Sequence, residues 1–477
     1  MQKIIIKNFG PVKDAEIEIK NILVLIGEQA SGKSTIAKLI YFFSSLNNDF
    51  DSALNDDGYL ELKTKLDFFS KNIKRKLFNF FPTVLNNPNF YVRHYFSEST
   101  FIEIKHKVSL TNEIDLALDE KIVVNFSLNF NSPNFLPEFH ENNKQGYEIG
   151  LTLKSFTDIK ELTSRENEMV KLWKKNTVLV DRFFDAKFVS KLYLSAGREA
   201  TISLENIFDV YFERTFNNQF DNQRTNSQKI SNQTYDEHLI LQFYFKIRYL
   251  KSLFEKYGGN FKDVVNNLKN DSKISPELIK KINSILKGDY RIDSSGEKIV
   301  LENGESISLK DASTGQKEVI RIIQDLVLCI LENENSLRII EEPETHLFPV
   351  AQKQLIELLV YMKNFNPNNQ IIITTHSPYI LTVFNNLLFA SRVIAKAPQS
   401  ETEVDAKIPK VFHVDPNDFA AYSLGNSSDI ESNYCEEIFS KETGLIDQNY
   451  LDIVSEILGD EFNYLYSLYA KNLRATV

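Results

Sequence analysis

Nine residues near the N-terminus have the composition and spacing of a loop that holds phosphate groups. They are Gly27, Glu28, Gln29, Ala30, Ser31, Gly32, Lys33, Ser34 and Thr35, and they match G-x-x-x-x-G-K-[ST]. This phosphate loop (residues 27–35) follows a continuous apolar run, Ile22–Ile26, and precedes a helix predicted over Ser34–Phe43. Glycines let the backbone N–H groups face phosphates, and the helix N-terminus adds a favourable dipole. We expect Lys33 to reach the β- and γ-phosphates of a nucleotide and the Ser34 hydroxyl to bind Mg²⁺.

Two neighbouring carboxylates follow a second apolar run. Leu337–Ile340 is predicted to be a buried strand, and Glu341 and Glu342 come directly after it. Ligands of open α/β sheets bind at the carboxyl ends of the strands. We predict that Glu341 holds Mg²⁺ through water and that Glu342 orients or deprotonates the attacking water. Alone, the pattern would also describe a strand that ends in surface charges, but the phosphate loop favours the functional interpretation.

A histidine follows a third apolar run. His376 comes after Gln370–Thr374, within Thr374-Thr375-His376-Ser377-Pro378. A lone histidine is usually structural or solvated. Beside the two glutamates, however, it could bond the γ-phosphate and respond to its loss.

A polar tetrad precedes the predicted helix Val319–Leu331. Ser313, Gly315 and Gln316 could form an anion-binding helix start. The same residues could equally be an ordinary helix cap. Taken alone, the tetrad leaves the two interpretations equal.

The composition of the 477 residues excludes several classes of protein. Net charge is -10, which argues against a chain coated with positive charge for nucleic acid, although a local basic groove stays possible. The two cysteines, Cys329 and Cys435, support neither a disulfide framework nor a zinc hook. The first residues do not resemble a signal peptide and we find no apolar stretch of about 18 residues, so we expect a cytoplasmic protein without a membrane span.

The pattern along the chain predicts one α/β domain, called the head below, which is built from two parts of the chain with insertions between them. Residues 1–202 are the first part and contain an inserted lobe at about 45–190. Residues 203–288 are predicted to be a helical insertion. Residues 289–396 complete the head, and 397–477 are predicted to be an acidic, mostly helical region.

The order of these motifs resembles the ABC-type ATPase head, and most closely its SMC-like and OLD-like (AAA15-type) branch. The opening Ile5–Gly10 with Asn21–Thr35 resembles "ikNfg…vliGe.gsGKST", Glu341–Leu347 resembles "EEPE.HL", and Thr375–Pro378 matches "THSP". The tetrad reads S-T-G-Q where transporters have S-G-G-Q. The resemblance implies an α/β head in which a parallel sheet around the phosphate loop is joined by antiparallel strands.

The same resemblance implies how the site is assembled. ATP and Mg²⁺ would lie between two heads, with Lys33, Ser34, Glu341, Glu342 and His376 from one subunit. Ser313 and Gly315 would close on the γ-phosphate from the other. The segment Leu194–Glu199 is similar to the family's Q-loop segment, "ipaeR", and leaves open whether Arg198 or Glu199 acts.

The function predicted from this resemblance is ATP-dependent switching of a partner. The helical region is too short and broken for a long coiled coil. No D-x-D motif follows His376, so the Toprim nuclease of the OLD family is not expected. The chain therefore resembles the ATPase subunits of PARIS- and Septu-type anti-phage systems, which act on a separate effector nuclease in response to a phage-encoded trigger. The alternative is an SMC-like clamp that binds DNA; a transporter subunit fits less well because such subunits lack large insertions.

Two surface patches could contact partners. Lys71–Lys76 is basic and precedes three phenylalanines, which suits DNA phosphates or an acidic protein, but a solvated helix face is the simpler interpretation. The tail after residue 428 combines acids with an apolar stripe, and docking on its own head is the simpler interpretation.

Overall fold

The computed structural model describes residues 2–55, 62–82, 89–98, 100–106, 122–127, 188, 190–205, 207–210, 235–267, 276–425, 434–447 and 461–466. The strands are β1 (Gln2–Phe9), β2 (Val12–Ile19), β3 (Ile22–Gly27), β4 (Tyr91–Tyr95), β5 (Phe101–His106), β6 (Ile122–Ser127), β7 (Ser190–Leu194), β8 (Asp289–Asp293), β9 (Gly296–Val300), β10 (Ser306–Ser308), β11 (Ser336–Glu341), β12 (Gln370–Thr375), β13 (Phe419–Leu424), β14 (Cys435–Glu437), β15 (Phe439–Ser440) and β16 (Leu445–Ile446). The helices are α1 (Lys33–Asn55), α2 (Leu62–Phe80), α3 (Ala200–Ser203), α4 (Tyr235–Lys256), α5 (Phe261–Asn267), α6 (Pro276–Leu286), α7 (Thr314–Glu332), α8 (Pro349–Phe365), α9 (Pro378–Lys396) and α10 (Glu401–Lys407).

A six-stranded sheet with the order β14-β13-β3-β12-β11-β7 forms the centre of the head. Its five strands from β13 to β7 are parallel, and only β14 pairs antiparallel. Every residue of β11, β12 and β13 is buried. Continuous apolar runs form such strands because both faces of a parallel sheet are covered.

A five-stranded antiparallel sheet with the order β2-β1-β4-β5-β6 packs against the first sheet through α1. Ile36 and Ile40 of α1 share one core with Ile4 of β1 and with Leu23 and Leu25 of β3. The helix that follows the phosphate loop is therefore held between two sheets. This packing fixes the position at which α1 begins.

The opposite face of the parallel sheet is covered by α7, α8 and α9. Val24 and Ile373 of the sheet share a second core with Ile323 of α7, Leu359 of α8 and Leu388 of α9. Helix α7 is buried without interruption from Glu318 to Ile330. A helix buried on all sides has its register fixed by packing, so its first turn has a defined place.

The predicted α/β class, with a parallel sheet around the phosphate loop and additional antiparallel strands, is confirmed. The helix predicted over Ser34–Phe43 continues to Asn55, inside the region assigned to the inserted lobe. Strands β4, β5 and β6 of that region belong to the head's own antiparallel sheet. Most of the predicted lobe, including 107–121 and 128–187, and the stretches 211–234 and 268–275 of the predicted helical insertion lie outside the described residues.

The prediction of a mostly helical region at 397–477 needs a correction. Residues 401–407 and 461–466 are helical, but residues 419–446 contain four strands. Of these, β13 pairs with β3 next to the phosphate loop, and β14 pairs with β13. The residues on both sides of β13 are rich in acids, and this made the whole region look helical in the sequence. Strand β13 itself carries no charge.

Helix α9 is long and apolar enough to cross a membrane by length and composition, although the sequence led us to expect no such span. A core helix of a folded protein meets the same criteria. Ile380, Phe384 and Leu388 of α9 are buried in the core that covers the parallel sheet. The helix starts two residues after His376, so this packing also fixes the position of that histidine.

One buried histidine in the antiparallel sheet predicts a pH dependence of stability. His94 of β4 stacks on Phe43 at 5.1 Å, and its buried Nδ1 has no hydrogen-bond partner among the described residues. Burial lowers its pKa to about 3, so the unfolded chain binds a proton between pH 6.5 and 3 that the folded chain does not. The free energy of unfolding should fall by about 2 kcal/mol from this group between pH 7 and 5.

The variant His94→Phe keeps the aromatic packing and removes the titrating group. Urea unfolding of parent and variant at pH 7 and pH 5 measures the difference. We expect the variant to gain about 2 kcal/mol relative to the parent on acidification. If the free energies of unfolding of parent and variant changed equally between pH 7 and pH 5, His94 would not be the source of the pH dependence.

Candidate active site

The strand register brings the predicted site residues to one edge of the parallel sheet. Glu341, the last residue of β11, lies opposite Thr374 of β12. Thr375 in turn lies opposite Ile26 of β3. The phosphate loop, the two glutamates and the histidine therefore start from three adjacent strands. Ligands are expected at such an edge because the strands of a parallel sheet all end there.

The phosphate loop requires glycine at two positions. Gly27 has φ +155°, and a Cβ on it would come within 2.2 Å of the Leu424 carbonyl oxygen of β13. Gly32 has φ +92°, and its Cβ would lie 2.8 Å from the Tyr434 hydroxyl. Leu424 of β13 and Tyr434, directly before β14, thus lie against the loop, and only glycine leaves enough room.

Lys33 is held inside the phosphate loop. Its Nζ donates to the carbonyl oxygens of Gly27 at 2.9 Å and Glu28 at 2.7 Å, and to Ser31 Oγ at 3.4 Å. The residue is 5% exposed. Burial lowers the pKa of the ammonium, while three carboxylates led by Glu342 oppose that shift. The cation is therefore placed where the loop curves and where phosphates would bind.

Glu341 is fixed by the neighbouring strand. Its Oε1 accepts a hydrogen bond from the Tyr193 hydroxyl at 2.6 Å, and its Oε2 accepts one from the Ala196 N–H at 3.1 Å. Burial and the Glu341 charge raise the pKa of Tyr193 well above its usual value, so the phenol stays a donor. Each carboxylate oxygen keeps a second lone pair, which can accept from a water molecule.

The oxygen donors of this edge fit a magnesium ion. Ser34 is the second residue of α1, and Glu341 ends β11 at the same edge of the sheet. Mg²⁺ prefers oxygen ligands and usually keeps several waters, which suits one hydroxyl and one carboxylate that acts through water. No cluster of three or more histidine, cysteine or acidic side chains that could hold a metal occurs in the part of the chain that the structure describes.

Glu342 and His376 face each other across the edge. His376 Nε2 lies 3.4 Å from Glu342 Oε1, and both side chains are about one-third exposed. Glu342 has φ +43°, an unfavourable value for a residue with a side chain. Its N–H donates to the Thr374 carbonyl at 2.8 Å, which ties the glutamate to β12. A carboxylate that is near a histidine and open to solvent can accept a proton from water.

A third glutamate, not assigned from the sequence, supports the histidine. Glu344 Oε1 accepts hydrogen bonds from Thr375 Oγ1 at 2.6 Å and from the His376 N–H at 2.8 Å. Its Oε2 is buried and has no partner among the described residues. Glu344 is the last residue of the "EEPE" motif, so the sequence resemblance could have identified it as a site residue.

Ser313 and Gln316 of the tetrad form a helix cap within the chain. Ser313 Oγ accepts from the Gln316 N–H at 3.3 Å, and Gln316 Oε1 accepts from the Ser313 N–H at 3.1 Å. A Cβ on Gly315 would come within 2.4 Å of the His346 carbonyl oxygen. Across the described residues, none of the three bonds to residues 27–35. One chain therefore does not bring the tetrad to its own phosphate loop.

Of the two open candidates after β7, the structure brings Arg198 to the glutamates. Its guanidinium donates to the carbonyl oxygens of Glu341 at 2.7 Å and Glu342 at 3.2 Å. Glu199 contacts the site only indirectly, through a hydrogen bond from its N–H to Glu318 at 3.4 Å.

A family model described as AAA ATPase domain, AAA_15, matches residues 1–381. The chain belongs to the AAA_15 family. This agrees with the resemblance seen in the motifs and identifies an ATPase domain over most of the chain.

Individual relatives are more distant. The Retron Vc95 probable ATPase of Vibrio cholerae serotype O1 biovar El Tor is 37% identical over 92 residues, and the match spans 17% of each protein. The Smc head domain with an extended coiled coil bound to the C-terminal domain of ScpA, from Pyrococcus furiosus, is 12% identical with a TM-score of 0.33, over 80% of this chain and 92% of that chain. The SMC head domain from Thermotoga maritima is 13% identical with a TM-score of 0.31, over 80% and 90%. The recombination mediator protein RecF, in a structure titled RecF-ATPrS, is 15% identical with a TM-score of 0.30, over 79% and 92%.

In this AAA_15 ATPase, a tyrosine from the far end of the chain also contacts the phosphate loop. The Tyr434 hydroxyl lies within hydrogen-bond distance of the Ser31 and Pro11 carbonyl oxygens and donates to the loop. No motif in the sequence indicated this residue, because more than 400 positions separate it from its partner.

Replacing Tyr434 by Phe should weaken ATP binding about fivefold, since one hydrogen bond to the loop is lost, worth about 1 kcal/mol. Titration with a fluorescent ATP analogue measures the Kd. The matched control is Tyr422→Phe on β13, because the Tyr422 hydroxyl accepts a hydrogen bond from the Glu18 N–H at 3.0 Å and does not contact the loop. Equal Kd values for the two variants would contradict a role for Tyr434 in binding.

Proposed function

We propose that this AAA_15 ATPase binds ATP between two copies of itself and hydrolyses it at the site built by its phosphate loop, Glu342 and His376. The observation that carries this proposal is the convergence of these groups at one edge of the parallel sheet, with the Glu342 and His376 side chains 3.4 Å apart and partly open to solvent. A phosphate-binding lysine, a base and a γ-phosphate contact are the groups that ATP hydrolysis needs.

Each group has a defined task in the proposed reaction. Lys33 and the loop N–H groups bind the phosphates, and Glu342 takes a proton from the attacking water. His376 bonds the γ-phosphate and senses its departure. Mg²⁺, when held by Ser34 and Glu341, neutralises charge on the phosphates.

The second copy would contribute Ser313 and Gly315. Both lie at the N-terminus of a 19-residue helix, where N–H groups and the helix dipole favour an anion. Within one chain they do not reach the phosphate loop, so their expected ligand is the γ-phosphate held by a partner. Binding of ATP would then join two heads, and hydrolysis would separate them.

Mixed dimers test this arrangement. The variant Ser313→Asp keeps a good helix cap but places a negative charge toward the γ-phosphate, and Ser313→Asn keeps the cap without the charge. We expect Ser313→Asp and Lys33→Ala each to be inactive and their mixture to regain activity, because one of the two sites then contains neither change. A mixture that stays inactive while Ser313→Asn is active would contradict a site shared between copies.

We further propose that the ATPase acts in the cytoplasm in anti-phage defence, where the dimer controls a separate effector nuclease in response to a phage-encoded trigger. The support is the family membership and the partial match to a retron ATPase.

The experiment is a pull-down of the tagged chain from its native locus, with partners identified by mass spectrometry. Stoichiometric recovery of a nuclease would support the proposal; recovery of DNA alone, with ATPase activity stimulated by DNA, would favour a DNA clamp instead.

A further inference from the structure

Arg198 is a fully enclosed charged group beside the site. Its side chain is 0% exposed, yet it lies in the segment between β7 and α3 and not in any sheet or helix. The guanidinium bonds the carbonyl oxygens of Ser195, Glu341 and Glu342 at 2.8, 2.7 and 3.2 Å. A planar fork with five donors suits three convergent carbonyls, whereas lysine could not reproduce this geometry.

The charge of Arg198 is matched by an acid on α7. Glu318 Oε2 lies 3.1 Å from Arg198 Nε, and the Glu318 side chain is 2% exposed. The same carboxylate accepts the N–H groups of Arg198 at 3.2 Å and Glu199 at 3.4 Å. Glu318 is in the first turns of the helix that begins with Thr314 after the cap Ser313. A buried ion pair therefore connects that helix to the main chain of the two glutamates.

The contact with Glu342 has a specific consequence. A positive φ at a residue with a side chain costs of order 1–3 kcal/mol and persists only where surrounding contacts enforce it. The carbonyl oxygen of Glu342 accepts from Arg198 and from both the Oγ1 and the N–H of Thr345, and its own N–H donates to Thr374. Arg198 is thus one of three residues whose hydrogen bonds hold the backbone conformation from which the Glu342 side chain extends toward His376.

We propose that Arg198 is a positioning residue for ATP hydrolysis, which holds Glu342 in its productive backbone conformation and, through Glu318, makes that conformation depend on the placement of α7. The proposal rests on the proposed function, in which Glu342 is the base. When a partner's nucleotide engages the start of α7, the ion pair transmits the position of the helix to the glutamates. Hydrolysis is then linked to dimer closure within each chain.

The test compares Arg198→Lys and Glu318→Gln with the parent. Each should lower kcat about 10- to 100-fold, because a base displaced by about 1 Å loses that much, while KM for ATP stays within about twofold. The double variant should lose little more than the more severe single variant, since both changes break one connection. Glu318→Gln preserves size, so it carries the test if Arg198→Lys does not fold.

A second buried ion pair supplies the control. Arg338 of β11 and Asp325 of α7 join the same strand and helix, and both side chains are 3% exposed or less. Arg338 bonds neither glutamate carbonyl in the described part of the chain. Arg338→Lys and Asp325→Asn should lower Tm as much as the test variants but change kcat less than about threefold.

The outcomes separate the two proposals. ATP hydrolysis by the parent that is lost in Glu342→Gln supports the proposed function whatever Arg198 does. The positioning role is overturned if the Arg198 and Glu318 variants lose activity through KM alone, or if the control variants lose as much kcat at equal Tm. An active Glu342→Gln variant would instead overturn the base assignment on which the positioning role depends.

Discussion

Replacing Glu342 by Gln is expected to lower kcat for ATP hydrolysis about 10²- to 10³-fold and to leave ATP binding nearly unchanged. The amide cannot accept a proton from the attacking water, and general-base groups contribute about this factor. Size and the backbone contacts to Thr374, Thr345 and Arg198 stay the same, so the site should remain assembled. If two heads close on ATP and open on hydrolysis, as proposed, the variant should accumulate as a closed dimer.

Steady-state phosphate release, the Kd of a fluorescent ATP analogue and light scattering with and without ATP measure the three effects. Glu302→Gln, an exposed acid between β9 and β10, is the control and should behave like the parent. Turnover of the Glu342→Gln variant at the parental rate would show that another group is the base. A monomeric variant in saturating ATP would contradict the proposed closure.

Local motifs made most of this site predictable. The phosphate loop, Glu341–Glu342 and His376 each follow an apolar run, so the type of element and its C-terminal edge can be read from neighbouring residues. Parallel pairing of β11, β12 and β3 then places them together. The tetrad was ambiguous from the sequence. Within one chain it forms a helix cap, so anion binding by this helix start remains a proposal that concerns the phosphates of a partner.

Contacts between distant segments could not be predicted in this way. Tyr434 and Leu424 reach the phosphate loop because β13 pairs with β3, and no local pattern specifies which strands become neighbours. The pairing of Arg198 with Glu318, 120 positions apart, is equally invisible in composition. A charged side chain that is buried needs a partner of opposite charge, but the sequence does not specify which residue that partner is.

The C-terminal segment gives the phosphate loop a tertiary support that the loop motif alone does not describe. A Cβ on Gly27 would lie only 2.2 Å from the Leu424 carbonyl oxygen. A Cβ on Gly425 would likewise lie 2.8 Å from the Ser31 Cβ. The close fit means that residues 27–35 and β13 must fold together. Changes at Leu424 or Gly425 should therefore affect nucleotide binding without altering a motif residue.

Replacing Lys33 by Ala is expected to weaken ATP binding at least about 100-fold and to remove measurable hydrolysis. In the proposed site the ammonium donates to the β- and γ-phosphates, and loss of a charge-assisted bond in an enclosed site costs about 3 kcal/mol or more. The same change removes the bonds that Lys33 makes to Gly27 and Glu28, so the free loop should also lose order. Lys38→Ala is the control on α1, because the Lys38 ammonium pairs with Asp236 and not with the loop. Titration of both variants with a fluorescent ATP analogue decides the matter: a Lys33→Ala variant that binds like Lys38→Ala would place the phosphates elsewhere on the sheet edge.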